Sequence, residues 1–138
     1  MAAGGPAGRS RGEGCIRAAR FPARRPLEDF DFRHACGLRR GAIAHLGTLD
    51  FAVAKENVVF LGPPGTGKTH LAIGLAIRAC QAGHRVCFAT AAERVARLAD
   101  AHHAGRLQAE LIRLGRCPLM VIDLCRLRDC AEGLGCRV

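Results

Sequence analysis

Apolar residues follow two different patterns along this chain. Short unbroken apolar runs, rich in β-branched and aromatic residues, indicate strands that are buried on both faces. Longer stretches in which apolar residues recur every three or four positions indicate helices that pack against a core. Beyond residue 56 the two patterns alternate. This alternation predicts an α/β fold, with a parallel sheet covered by helices on both sides.

Three apolar runs predict the strands of the sheet, and the third run ends in a carboxylate. Three parallel strands are few for a doubly wound sheet. Residues 124–138 show neither a further strand nor a long helix. We therefore expect a partial sheet that stops after the third strand. The predicted strands are Val58–Leu61, Arg85–Thr90 and Leu119–Asp123.

Three helices are predicted to connect these strands. The first is apolar nearly all round, which predicts a buried helix, and Gly83 follows it as a natural C-terminal cap. The second starts at a capping box made by Thr90 and Glu93, and Gly105 ends it. The predicted helices are Thr69–Ala82, Ala91–His102 and Leu107–Gly115.

The segments before this pattern differ from each other in character. Residues 27–56 carry apolar residues at gaps of three to five, which predicts helix facing a core. Residues 1–26 carry six arginines and one glutamate, or +5 of a total net charge of +9, with almost no periodic apolar content. Such a segment cannot offset the entropy of ordering itself. The predicted organisation is a disordered basic tail at 1–26, a core at 27–123 and an irregular tail at 124–138.

The charge of the basic tail has more than one interpretation. An arginine-rich segment with little acid can serve as a nucleic-acid arm or resemble a transit peptide. Lys55 and Lys68 are the only lysines among the 21 basic residues of the chain, which is the composition that GC-rich coding produces. Because coding bias explains the arginines, we assign the tail no function.

Composition narrows the class of protein further. The chain has 138 residues, which suits one small domain, and its 49% hydrophobic content indicates a globular protein. Its apolar runs fall well short of the roughly 18 residues that span a membrane, so we expect a soluble, cytoplasmic protein with no membrane partner. Eight cysteines without a secretory segment or regular spacing indicate reduced thiols. Cys125, Cys130 and Cys136 lack the spacing of a zinc site, and the adjacent His102 and His103 are expected at the surface.

Residues 62–69 match the phosphate-binding pattern GxxxxGK[ST], between a predicted strand and a predicted helix. The glycines let backbone N–H groups face a phosphate, beside a helix N-terminus that favours negative charge. Lys68 would reach the β and γ phosphates, Thr69 would ligate Mg²⁺, and the backbone N–H of His70 would reach the α phosphate. The candidate nucleotide-binding residues are Gly62, Pro63, Pro64, Gly65, Thr66, Gly67, Lys68, Thr69 and His70.

Asp123 ends the third predicted strand, at the edge where parallel sheets gather ligand groups. It fits the Walker B carboxylate, which holds the Mg²⁺ shell largely through water. Leu124 occupies the position where ATPases of this type usually carry a glutamate that orients the attacking water. An alkyl side chain cannot do this, and Asp129 and Glu132 lie in a segment without predicted geometry. No catalytic residue is therefore assigned.

The blocks GPPGTGKTHLA, RVCFATAAE, LADAHHAGRLQAEL and LMVID closely resemble the IstB-type ATPases that assist insertion-sequence transposition, AAA+ relatives of the helicase loader DnaC. The resemblance covers about residues 27–123. It implies a P-loop NTPase core of three-layer sandwich form that binds ATP with Mg²⁺. It further implies homo-oligomers that act with a transposase on DNA. Phe30 and Phe32, just ahead of the core, are candidates for contact with the base, without assignment.

The chain also departs from the family pattern. The resemblance implies a sensor residue, an arginine finger and a lid beyond the Walker B strand, and residues 124–138 look unlike them. We therefore expect a truncated AAA+ core that binds MgATP and hydrolyses it poorly, and we do not extend the family's oligomer to it. Three alternatives remain: a non-catalytic basic DNA-binding remnant, a P-loop kinase of a small acceptor, and an unstable truncated gene product.

Overall fold

The structure, a computed structural model, describes residues 6–34, 37–63 and 65–124 of the chain. Its regular elements there are six helices, two short 3₁₀ turns (Leu27–Asp29 and Phe32–His34) and one parallel sheet of two strands. The helices are α1 (Pro6–Ala19), α2 (Arg40–Leu46), α3 (Asp50–Val53), α4 (Lys68–Gln81), α5 (Ala91–His103) and α6 (Leu107–Gly115), and the strands are β1 (Val86–Thr90) and β2 (Leu119–Asp123).

The sheet confirms two of the three predicted strands. β1 and β2 run parallel, and their register pairs Val86 with Leu119 and Thr90 with Asp123. Because both strands end at the same edge, the hydroxyl of Thr90 and the carboxylate of Asp123 belong to neighbouring strand ends. The predicted α/β class with a parallel sheet is correct.

The prediction of a buried strand at Val58–Leu61 is wrong. The segment has no regular structure and pairs with neither strand of the described sheet. Val59 is 73% exposed and Leu61 85% exposed, whereas Phe60 is half-buried against an apolar cluster. A continuous apolar run predicts burial on both faces, but packing surface is available on one face only, so alternate side chains remain in solvent.

Helix α4 lies between the two apolar clusters of the structure, which explains why it is apolar nearly all round. One cluster combines Ala76, Ala79 and Cys80 of α4 with residues of α1 and the sheet. The other combines Leu71 and Leu75 with residues of 27–60. The predicted glycine at the C-terminus is also confirmed, since Gly83 follows the C-cap residue Ala82 and has a left-handed φ of +91°. The phosphate-loop motif thus opens onto the most enclosed helix of the described chain.

The prediction that residues 1–26 are disordered is wrong over Pro6–Ala19, which forms α1 and packs on α4 and β1. Its contact face carries one large apolar side chain, Ile16, beside the smaller Cys15 and Ala19. Gly12 allows a close helix approach, because a Cβ there would lie 3.2 Å from Cα of Gln81. Small residues give a weak hydrophobic pattern, although they let two helices pack tightly.

Helices α5 and α6 follow the predicted boundaries closely. The capping box is present in full: the N–H of Glu93 donates to Oγ1 of Thr90, and the Thr90 N–H donates to Oε2 of Glu93. Gly105, with φ +67°, separates the two helices as expected. α5 contacts β1 and packs against α6. His102 and His103 are exposed, as predicted.

Residues 27–56 are less helical than predicted, because two 3₁₀ turns precede the short helices α2 and α3. Ile43 and Leu49 are buried as expected, but Val53 is 74% exposed. Among the described residues, no helix is long and apolar enough to cross a membrane. Pro64 and residues 125–138, which include three of the cysteines, lie outside the described ranges.

Candidate functional site

The phosphate-loop residues form a tight turn that leads directly into α4. Gly65 and Gly67 adopt left-handed φ values of +80° and +84°, which glycine reaches without steric cost. Gly67 is the N-cap of α4, and Lys68 is its first residue. The loop therefore places the free N–H groups of a helix N-terminus at its end, the arrangement that favours an anion.

The ammonium of Lys68 joins the two ends of the loop. Its Nζ donates to the carbonyl oxygen of Gly62 at 2.7 Å and to that of Pro63 at 2.6 Å. Thr66 closes the same turn, because its hydroxyl donates to the Pro63 carbonyl at 2.8 Å. The loop's one cation is thus held within the loop rather than extended into solvent.

Thr69 and Asp123, the two predicted magnesium ligands, lie together although they are 54 positions apart. The Thr69 hydroxyl donates to Oδ2 of Asp123 at 3.1 Å, and both side chains are partly buried. α4 contributes one oxygen and the end of β2 contributes the other. Hydroxyl and carboxylate oxygens are hard ligands of the kind that Mg²⁺ prefers, so this pair fits the predicted ion.

Leu124, the residue after Asp123, is 64% exposed. It carries no group that can accept a proton or orient water. Within the described ranges, no group of three or more His, Cys, Asp or Glu side chains is arranged to hold a metal ion. Asp129 and Glu132 fall outside those ranges.

Two thiols of the described core, Cys80 and Cys117, are poorly suited to chemistry. Burial is the main reason that the pKa of Cys80 is raised to about 11 and that of Cys117 to about 12. A thiol with so high a pKa is almost entirely protonated near neutral pH and is a weak nucleophile. Cys15, Cys80, Cys87 and Cys117, the cysteines within the described ranges, are free.

Sequence reasoning missed a contact between the loop and the residues around Phe30. Phe30 is buried, and its ring lies against Gly67 and edge-on to the ring of His70, with centroids 5.3 Å apart. Nε2 of His70 lies 2.9 Å from the carbonyl oxygen of Pro26. The only sequence signal was the pair of phenylalanines in LEDFDF, which we considered for contact with the base and not for contact with Gly67 or His70.

The sequence model of the IstB-like ATP binding protein family matches residues 8–132. The match begins well before Leu27 and runs past Asp123, so the family likeness is wider than the predicted 27–123 on both sides. Its start falls inside α1, the helix that the sequence pattern failed to predict. The segment before Leu27 is thus part of the family pattern, contrary to our expectation.

Individual relatives agree with this family. The protein assigned as ATP-binding in insertion sequence IS21 of Pseudomonas aeruginosa is 40% identical over 111 residues, which cover 80% of this chain and 42% of the relative. The corresponding protein of IS5376 in Geobacillus stearothermophilus is 37% identical over 108 residues, covering 78% and 43%. The chain thus spans about two fifths of the length of the curated relatives it matches. With the family match extending over most of its residues, this chain belongs to the IstB-like ATP-binding proteins.

Proposed function

We propose that this chain binds ATP together with Mg²⁺ at the loop formed by residues 62–70 and at Asp123. Family membership supports nucleotide binding, and the geometry of the loop supports the place. The observation that carries the proposal is the hydrogen bond between Thr69 and Asp123, because it joins the two ligand-bearing elements next to a helix N-terminus.

Each residue of the loop has a task that its chemistry suits. Backbone N–H groups around Gly65 and Gly67 donate to phosphate oxygens, and the α4 N-terminus favours their negative charge. Lys68 exchanges its carbonyl acceptors in the loop for phosphate oxygens, which attract an ammonium more strongly. Thr69 and Asp123 would hold Mg²⁺, which supplies charge neutralisation at the β and γ phosphates when bound.

We further propose that hydrolysis by this chain is poor. Attack by water requires a group that orients it, and Leu124 at the usual glutamate position has none. Ground-state binding would depend on different residues, namely the loop and Asp123, and the hydrogen bond between Thr69 and Asp123 supports this. The expected behaviour is therefore nucleotide binding with little turnover.

The role in the cell follows from the relatives' names, which refer to insertion sequences. We propose a helper role in transposition, in which nucleotide-bound protein acts with a transposase on DNA. The net charge of +9 supports contact with a polyanion. The alternative is a simple basic DNA-binding protein. Its affinity for DNA would fall steeply as the salt concentration rises and would not change when ATP is added.

Calorimetric titration of the chain with MgATP tests the nucleotide proposal, and the two lysines of the chain provide a matched pair. Lys68→Ala removes the ammonium from the loop, whereas Lys55→Ala removes the same charge from an exposed position outside it. We expect saturable binding that Lys55→Ala retains and Lys68→Ala loses. Equal binding by both variants would contradict the proposed site.

Magnesium dependence and turnover need separate measurements. ATP affinity measured with Mg²⁺ and with a chelator should differ in the wild-type protein, and Asp123→Asn should reduce that difference. Phosphate release should stay near the uncatalysed rate, because Leu124 cannot orient water. Rapid phosphate release that Lys68→Ala abolishes would show the hydrolysis proposal to be wrong while leaving the binding proposal intact.

A further inference from the structure

The segment Pro26–Phe32, called the brace below, lies along one stripe of α4. Pro26 contacts His70, Leu27 packs against Gly74, and Glu28 pairs with Arg78. The three helix positions are separated by four residues each, so they follow one face of the helix. A Cβ on Gly74 would lie 2.8 Å from Cγ of Leu27, which shows how closely the brace approaches.

The brace then turns back to the phosphate loop through Phe30. A Cβ built on Gly67 would lie 2.5 Å from Cε2 of Phe30, so the ring touches the N-cap of α4 itself. Phe32 contacts that ring edge-to-face, with centroids 4.9 Å apart. Arg40 of α2 in turn lies over the Phe32 ring at 4.9 Å.

We propose that Phe30 and His70 are positioning residues for nucleotide binding: the brace holds Gly67 and the first turn of α4 in the conformation that receives phosphate. This inference rests on the proposed nucleotide site and deepens it. The loop's N–H groups bind an anion only when they converge, and holding them in place beforehand lowers the entropy lost on binding. The apolar ring of Phe30 packs against the Gly67 backbone and restricts its movement. His70 ties the same turn to the Pro26 carbonyl.

The decisive experiment compares two identical substitutions in the full chain. Phe30→Leu keeps an apolar side chain but withdraws the ring from Gly67, whereas Phe21→Leu removes a ring that contacts Phe88 on the α1 side of the sheet. MgATP affinity is measured calorimetrically at a temperature where every variant is folded. We expect Phe30→Leu to bind about tenfold more weakly and Phe21→Leu to change affinity by about twofold or less.

A pair of His70 variants separates the hydrogen bond from packing. His70→Gln retains an N–H donor for the Pro26 carbonyl, and His70→Leu retains bulk without a donor. We expect His70→Leu to bind MgATP more weakly than wild type. We expect His70→Gln to bind it nearly as tightly as wild type. Amide hydrogen exchange at residues 65–69 of the nucleotide-free protein provides an independent measurement, and it should accelerate in Phe30→Leu but not in Phe21→Leu.

The outcomes distinguish this inference from the proposed function. If wild-type protein does not bind MgATP, both are overturned. If wild-type protein binds and Lys68→Ala does not, but Phe30→Leu and His70→Leu bind like wild type, only the positioning role is overturned. Equal weakening by Phe30→Leu and Phe21→Leu also overturns it, since the effect would then follow from general loss of packing.

Discussion

Helix α4 and the α5–α6 pair were both predicted from sequence, yet they are stabilised in different ways. In α4, eight of fourteen residues are buried, from Leu71 to Cys80. In α6 no residue is buried, and Leu111 and Ile112 are 45% and 51% exposed. α4 is packed by α1, the sheet and the brace, whereas α5 and α6 depend on a capping box and ion pairs around Glu110.

This difference determines how rigid the conformation of each region is. Burial of apolar surface contributes several kcal/mol per large side chain, whereas an exposed ion pair contributes about 0–1 kcal/mol. The phosphate loop begins the strongly packed helix, so its geometry is fixed by the core of the protein. The α5–α6 pair is the region where local opening should occur first.

The largest expected difference comes from one substitution made in both regions. Ile73→Ala should lower the free energy of unfolding by about 3 kcal/mol, because Ile73 is 1% exposed and its loss leaves a cavity. Ile112→Ala should change it by about 0.5 kcal/mol or less, since the side chain is half in solvent. Urea unfolding followed by circular dichroism measures both. Similar losses would mean that α6 is packed more tightly than its exposure indicates.

A smaller effect is expected at the start of α5. Thr90→Ala removes the hydroxyl that accepts from the N–H of Glu93, which should cost about 1 kcal/mol in urea unfolding. Thr90→Ser is the control, because it keeps the hydroxyl and should stay close to wild type. A loss in Thr90→Ser as large as that in Thr90→Ala would assign the effect to the buried methyl group instead of the cap.

The smallest effect is expected at Glu110 and depends on pH. The hydrogen bond from Arg113 is the main reason that the pKa of this carboxyl lies below 4.5, with smaller contributions from the charges of Arg97 and Arg94. Because the folded-state pKa is lowered, the stabilisation is present above about pH 4.5 and is lost as the pH falls through the folded-state pKa.

Glu110→Gln removes this titration. The variant should be slightly less stable than wild type at pH 7, and this difference in stability should disappear below pH 4.5. Thermal melts of both proteins between pH 3 and 7 measure the difference. A stability difference between the two proteins that widened towards acid pH would contradict a lowered pKa of Glu110 in the folded state.

Sequence predicted those elements whose determinants lie close together along the chain. The boundaries of α4, α5 and α6 follow from apolar periodicity, from the Thr90 capping box and from Gly83. β1 and β2 were predicted because both are short apolar runs beside clear breaks. The pairing of Thr69 with Asp123 was also foreseen, since the motif and a strand-ending carboxylate meet at one edge of a parallel sheet.

The errors concern features that depend on what lies alongside an element. Val58–Leu61 has the composition of a strand, but a strand forms only with a hydrogen-bonding neighbour, and no described strand lies beside it. α1 has weak periodicity because Ile16 is the one large apolar residue named on its contact face, beside the smaller Cys15 and Ala19. The contact of Phe30 with Gly67 joins residues 37 positions apart, and the local pattern around each residue contains no information about the other.

The close approach of α1 to α4 at Gly12 affects where the chain can be shortened. A shortened protein that starts at Leu27, designed to remove the basic tail, would lack Ala19. Its Ala76, Ala79 and Cys80 would then be exposed to water. Because this apolar surface is exposed, the shortened protein would be poorly soluble. That poor solubility would be a result of the truncation and not a property of the nucleotide-binding core. Three of the six arginines of residues 1–26, namely Arg9, Arg11 and Arg17, belong to α1, so removing this positive charge by truncation also removes a helix that the interior needs.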